Sequence, residues 1–259
     1  MQSAVAKGHN LQGRTAIVTG GGRGIGRSIV DRLVADGASV VTCGRSARPH
    51  DLPDEVAWVQ ADVGKSADAK SVVDAALEAF GEQTILVNNA GVQLTKTVVE
   101  TTDDEWDLVI GANCKGVFNM CREVLPIMAA RSGSIVNIGS ISGNVADPKM
   151  AIYNASKAFV HGLTRSIAID HGPKVRCNAV CPGWIMTGMA SDGFDLARDP
   201  ARAKADAVAR HPVGRLGLPS DIADAVAWLV SEQAAFATGQ CFVLDGGLTA
   251  ASPLQPGLF

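Results

Sequence analysis

Tyr153 stands four residues before Lys157, and residues so spaced share one face of a helix. A free phenol ionises near pH 10 and is a poor base at neutrality, whereas an ammonium beside it favours the phenolate. Such a pair is suited to trading a proton with an oxygen brought against it. Tyr153 is the only tyrosine in the chain, so no second phenol competes for the role. A Tyr-x-x-x-Lys pair is nevertheless common and takes its meaning from its surroundings. Ser140 ends the segment Asn137-Ile138-Gly139-Ser140, thirteen residues before Tyr153. A nucleophilic serine is the rival reading. However, no Gly-x-Ser-x-Gly elbow surrounds Ser140, and no histidine and aspartate have recognisable placement, which argues against a serine hydrolase.

A second concentration of chemistry is Thr19-Gly20-Gly21-Gly22-Arg23-Gly24-Ile25-Gly26, which directly follows an apolar run and opens a helix-length stretch. A turn in that position needs residues without Cβ, so that backbone N–H groups and a helix N-terminus can approach a pyrophosphate. The glycines alone would be a weak signal; the strand and helix on either side strengthen it. The absence of a Gly-Lys-Ser/Thr sequence from this stretch removes the lysine and the magnesium-binding hydroxyl of a P-loop nucleotide triphosphatase.

The elements that must position these groups follow from the hydrophobic pattern. Short apolar runs at 15–19, 39–43, 56–60, 85–88, 134–138, 175–180 and 241–244 predict strands. Helices are expected over 25–36, 66–80, 103–130, 151–171 and 219–231, the third capped by Thr102 or Asp103. Alternation of this kind marks βαβ units, and near-continuous apolar strands belong to parallel sheets covered on both faces. The fold class is therefore α/β: a single Rossmann-like doubly wound parallel sheet of about seven strands with helices on both faces. One domain spans 1–259, with an N-terminal tail at 1–12, a substrate cover at 188–211 and a C-terminal tail at 252–259.

With these elements in place, TGGGRGIG resembles the TGxxxGxG cofactor motif of the short-chain dehydrogenase/reductase family. Further motifs follow in that family's order from about Leu11 to Gly247. The resemblance implies a nicotinamide dinucleotide bound by Gly20, Arg23, Gly24, Ile25 and Gly26. Asn88-Asn89-Ala90-Gly91 is similar to the NNAG element, which adds Asn89, Ala90 and Gly91. Asp62-Val63 resembles the pair that meets the adenine ring, and Pro182-Gly183 with Ile185 and Thr187 resembles the segment that seats the nicotinamide and its carboxamide. By the same resemblance Ser140 orients the reacting oxygen, with Ser142 its nearest competitor. Tyr153 exchanges the proton, Lys157 assists it, and both contact the cofactor. Asn113 matches an asparagine thought to hold a water that links the lysine to solvent. The implied reaction is hydride transfer between nicotinamide and a carbonyl or alcohol. Epimerases and dehydratases of a longer sister family also carry YxxxK, but with a TGxxGxxG motif and a larger C-terminal region, neither of which is found here. The alternative from another class is a non-catalytic dinucleotide-binding sensor, against which the intact Asn113, Ser140, Tyr153 and Lys157 set argues.

At the end of the second strand, where an acidic residue would select the ribose 2'-hydroxyl, the chain has Gly44-Arg45-Ser46. Arg45 and Arg23 are suited to a 2'-phosphate, so NADP(H) is expected over NAD(H). Specific activities compatible with the motifs include 3-oxoacyl-thioester reduction and sugar or polyol oxidation. Trp184, Met186, Met189 and Phe194 suggest a partly apolar substrate pocket unless they belong to the core. Arg131 and Lys174 are candidate contacts for an acidic carrier protein. The family implies a homotetramer pairing helices 103–130 and 151–171, with the last strand, Cys114, Cys121 and the apolar end Leu258-Phe259 as further contacts. A net charge of -3 offers no basic field for nucleic acid or anionic lipid, and no apolar run suits a signal peptide or membrane span. The six cysteines and five histidines show no CxxC, HxxxH or HExxH spacing. They read as buried residues of a cytoplasmic protein without a catalytic metal.

Overall fold

The computed structural model describes residues 9–188 and 197–250. β1 (Thr15–Thr19) is buried at all five positions, which is why its sequence is apolar without alternation. There follow α1 (Gly24–Ala35), β2 (Ser39–Gly44), β3 (Ala57–Gln60), α2 (Ser66–Phe80), β4 (Ile85–Asn88) and α3 (Asp103–Ile110). A π turn (Gly111–Lys115) leads into α4 (Gly116–Arg131), then β5 (Gly133–Ile138), a short 3-10 turn (Ile141–Gly143) and α5 (Ala151–His171). β6 (Val175–Pro182), α6 (Pro200–Ala209), α7 (Pro219–Val230) and β7 (Cys241–Leu244) complete the order.

The strands form one parallel sheet in the order β3-β2-β1-β4-β5-β6-β7. Alternate side chains enter opposite cores, as the strand period of two requires. Val18, Val87 and Val136 meet α1 and α7 through residues such as Leu33 and Leu229, whereas Ile17, Leu86 and Ile135 meet α2, α4 and α5 through Val72, Val124 and Ile167. Arg32 ties the first pair of helices together, bonding Asp36 on one side and Asp224 on the other. The order of connection reverses between β1 and β4, and such a switch opens a crevice at the carboxyl ends of the strands. Gly20, Asn89, Ser140 and Gly183 follow β1, β4, β5 and β6, so the sheet delivers all four to that edge.

The expected helix over 103–130 is interrupted. Thr102 and Glu105 form a reciprocal capping box at its start, but the ladder widens into the π turn at Gly111–Lys115. Asn113 lies in this turn with its side chain anchored to Val92 and Ser156, and the wider turn satisfies that anchor while α4 keeps its apolar face on the core. Cys114 and Cys121, expected at a subunit contact, instead point inward. Burial pushes their thiols up to about 11 and about 12. Within the stretch read as an N-terminal tail, Leu11 is fully buried in the α1/α7 core. The cover segment contains α6; its residues 189–196 and the tail 252–259 lie outside the described residues.

A buried polar ladder crosses the α5 side of the sheet. Asn88 Nδ2 donates to Asn137 Oδ1 (2.8 Å), Asn137 Nδ2 to Thr164 Oγ1 (2.9 Å), and the Thr164 hydroxyl to Val160 O (2.8 Å). Leaving a buried donor unpaired costs about 1–3 kcal/mol. Asn137→Leu, which keeps the branched shape but removes the side chain's hydrogen bonds, is expected to destabilise the fold by about that amount, read as a lower urea midpoint at unchanged m-value. An unchanged midpoint would show the ladder to be energetically idle.

Candidate active site

The Gly-rich turn is built for close approach. Gly20 sits in the left-handed region (φ 70°), Gly21 N–H donates to Thr42 Oγ1 (3.0 Å), and Thr42 in turn donates to Val18 O (2.6 Å). A Cβ on Gly26 would lie 2.3 Å from both Gly20 O and Asn89 Nδ2, so the start of α1 is pressed against the turn. Asn89 Nδ2 donates to Thr19 O (3.0 Å) and Gly20 O (3.1 Å), while Thr19 Oγ1 accepts from the N–H groups of Asn89 and Ala90. The segment after β4 is thereby stitched to the turn after β1. No side chain caps the start of α1 and no acidic residue occupies its first turn, which leaves its N-terminal field for an anion. Thr187 faces the same mouth, 3.5 Å from where a Cβ on Gly24 would stand. These residues fit the pyrophosphate of a dinucleotide.

Beside the Gly-rich turn lies an aromatic surface that the sequence did not reveal. The Trp58 ring occupies the space beside Gly44 and Gly22, where added Cβ atoms would come within 2.8 Å and 3.3 Å of it. The only available signal was a bulky aromatic on a half-buried edge strand. Four arginines surround this rim. Arg27 bonds Asp31 and Asp51, and Arg48 donates to the carbonyls of Val56, Leu52 and Pro53. Arg23 and Arg45 are exposed, and neither side chain has a hydrogen bond or ion pair among the described residues. Asp62 Oδ1 accepts from Gly64 N–H (3.1 Å), and Val63 is buried against Gly116, so both expected adenine contacts lie just beyond β3.

Lys157 is buried, and its Nζ donates to Ile138 O at the end of β5 (2.9 Å) while standing 5.6 Å from the centre of the Tyr153 ring. Ser140 follows Ile138 by two residues. Its Oγ accepts from Ser142 N–H (3.1 Å), which leaves its hydroxyl proton free to donate. Ser142, the competitor, spends its own hydroxyl on Asp147 Oδ2 (2.9 Å). Asn113 is almost wholly engaged: Oδ1 accepts from Val92 N–H (2.8 Å), and Nδ2 donates to Val92 O and Ser156 Oγ (2.9 Å each). One lone pair of Oδ1 remains. Ser156 Oγ donates to the backbone carbonyl of Tyr153 (2.7 Å), so Asn113 braces the first turns of α5.

A cleft of about 480 Å³ is lined by Ile141, Val145 and Trp184 together with Ala207, Arg210 and Leu248. α6 contributes Ala203, Asp206 and Ala207 to its lining. Met186, read as either a pocket or a core residue, packs with Ala207 and Leu216; Met189 and Phe194 fall outside the described residues. Gly183 passes so close to β7 that a Cβ would lie 2.7 Å from Asp245 Cβ. Burial opposes ionisation of Asp245, but bonds from Thr249 and from Gly247 N–H hold its carboxyl below the usual range. Asp245 thus fixes the turn that presents Leu248 to the cleft, a role foreshadowed only by the Asp-Gly-Gly turn sequence.

A parallel seven-stranded sheet carrying these motifs at its carboxyl edge defines a nicotinamide-dependent oxidoreductase, and the chain belongs to the short-chain dehydrogenase/reductase family. A family model described as enoyl-(acyl carrier protein) reductase matches residues 20–249. The chain is 39% identical over 252 residues to an NADP-dependent (R)-specific alcohol dehydrogenase of Lentilactobacillus kefiri, covering 93% of this chain and 98% of the relative. It is also 39% identical over 253 residues to 2-(S)-hydroxypropyl-CoM dehydrogenase 3 of Xanthobacter autotrophicus, with 93% and 99% covered. Among solved structures it resembles the ligand-free aldohexose dehydrogenase of Thermoplasma acidophilum, with a TM-score of 0.91, 33% identity, and 96% and 98% of the two chains covered.

The tight seat of Gly26 gives a direct test of the cradle. Overpacking costs about 1–3 kcal/mol, so Gly26→Ala is expected to weaken dinucleotide binding roughly fivefold to 150-fold in a fluorescence titration, with the circular dichroism spectrum retained. Unaltered affinity would remove the turn from the binding site.

Proposed function

We propose that the chain is an NADP(H)-dependent reductase of ketones and aldehydes, and oxidant of the corresponding alcohols, in which Tyr153 carries the proton. The observation that supports this most directly is the buried Lys157 ammonium, pinned to Ile138 O and facing the Tyr153 ring. When bound, the dinucleotide supplies or accepts the hydride. Tyr153 donates its phenolic proton to the carbonyl oxygen in reduction and takes it back in oxidation. Lys157, with one donor spent on Ile138, turns its remaining N–H groups toward the phenol and the nucleotide. Ser140 donates its free proton to the reacting oxygen and fixes its direction. Asn113 holds α5 in register through Ser156, and its spare lone pair is the place for a water on the way to solvent.

The two uncommitted arginines, Arg23 and Arg45, support NADP(H) as the preferred cofactor, and the Lentilactobacillus relative is itself named NADP-dependent. Asp62, Val63, Asn89, Ala90 and Gly91 line the adenosine and ribose path, and Pro182, Gly183, Ile185 and Thr187 the nicotinamide end. The mixed cleft suits a small free substrate carrying both apolar and polar parts. Arg131, one of the two cations considered for an acidic carrier, is paired with Glu82, which favours free substrates over carrier-bound thioesters. Exposed Trp106, Leu108, Phe118 and Phe159 on α3–α5, with Val243 on the edge strand, support the homotetramer. No helix among the described residues is long and apolar enough to cross a membrane, and the free cysteines suit the reducing cytoplasm.

Tyr153→Phe is expected to lower kcat by roughly 10²- to 10⁴-fold or more while leaving nucleotide affinity within about twofold; redox turnover at the parental rate would overturn the assignment. Charge-assisted bonds are worth about 1.5–3 kcal/mol, so Arg45→Ala is expected to reduce kcat/KM for NADPH about tenfold to hundredfold and to leave that for NADH almost unchanged. A parent enzyme that prefers NADH would refute the cofactor reading. Turnover across acetoacetyl thioesters, sugars, diols and ketosteroids would identify the substrate class.

A further inference from the structure

We propose that His161, Cys181 and Cys241 form a binding site for a thiophilic divalent ion of the zinc type, separate from the hydride chemistry. The three residues lie twenty and sixty positions apart in the chain, so no ligand motif announces them. The fold brings α5, β6 and β7 together and sets the His161 nitrogen and the two sulfurs within 4.8 Å of one another. A tetrahedral ion with Zn–S near 2.3 Å and Zn–N near 2.05 Å holds its ligand atoms roughly 3.6 to 3.8 Å apart. His161 Nε2 and Cys181 Sγ are already 3.1 Å apart, so small side-chain adjustments complete the geometry.

The imidazole is oriented for the task. Its Nδ1 lies 3.2 Å from Asn144 Oδ1; an N–H donated there leaves the Nε2 lone pair aimed at Cys181. Two glycines form the slot that holds the ring: a Cβ on Gly139 would come within 2.6 Å of Nε2, and one on Gly143 within 2.4 Å of Cε1. Cys241 is only half-buried, on the edge strand, and gives a small ion its way in. Lys157 and Arg165 lie near enough to oppose a bare dication. Binding displaces one proton from each thiol to solvent, and two thiolates neutralise the ion's charge, so the assembled site adds no net charge to the interior. Three protein ligands leave the fourth position to water.

The test uses the reduced full chain and Co²⁺ alone. The expected result is about one ion per chain, with the visible absorption of a tetrahedral site and a thiolate charge-transfer band, both lost when Zn²⁺ displaces it. Zn²⁺, but not Mg²⁺, should raise Tm, because the ligands come from three elements of the folded state. Removing a group that merely orients a ligand lowers metal affinity about 10- to 100-fold, so Asn144→Ala should fall in that range and Cys241→Ser should exceed it. Cys43→Ala should bind as the parent does. Absence of the charge-transfer band, or its survival in both Cys241→Ser and Cys181→Ala, would overturn the proposal, and neither readout depends on turnover.

Discussion

The hydrogen bond from the Lys157 ammonium to the carbonyl of Ile138 is the constraint around which the rest is arranged. A buried ammonium needs a fixed acceptor, and the last carbonyl of a central strand is among the most rigid that a protein can offer. That single contact sets the height of α5 against the sheet. It therefore sets where Tyr153 stands, one helical turn earlier, relative to Ser140, two residues beyond the accepting carbonyl. The ladder from Asn88 through Asn137 to Thr164 repeats the same fastening deeper in the sheet, so the helix is held at two levels.

Around that axis the parallel sheet does the gathering. Every strand from β1 to β6 that borders the crevice ends at the same edge, and each contributes a short, sterically specified segment. The segments are tied to one another as well as to their strands: Asn89 to the Gly-rich turn, Asp245 to the turn after β7, Asn113 to both the β4 loop and α5. A site assembled from cross-braced loops on a rigid edge is preorganised without needing any loop to be rigid alone.

Much of this was legible in the residues. The inner strands, buried on both faces, must be apolar throughout and so announced themselves, the edge strands β3 and β7 showed as short apolar runs although they are only partly buried, and glycines at a strand–helix turn have a steric reason that spacing can reveal. What stayed hidden has equally physical causes. The extra residue in the π turn does not disturb the hydrophobic period of α3 and α4, so one helix was expected over 103–130. Trp58 acts across two strands, on glycines 14 and 36 residues away, and single-sequence pattern carries no such contact. Met186 has the composition of a pocket residue and the position of a core one, and only packing separates the two. His161, Cys181 and Cys241 illustrate the same limit, because a parallel sheet makes neighbours of residues whose spacing is arbitrary.

The connection from β2 to β3, Arg45–Val56, runs without a helix and touches the body of the protein at few points. Leu52 and Val56 reach the core, and the Arg48 guanidinium gathers three carbonyls that a helix would otherwise have satisfied. A stretch attached so lightly behaves as an exchangeable cassette. Changes of length or charge within it would alter the rim beside the Gly-rich turn and leave the order of the strands as it is.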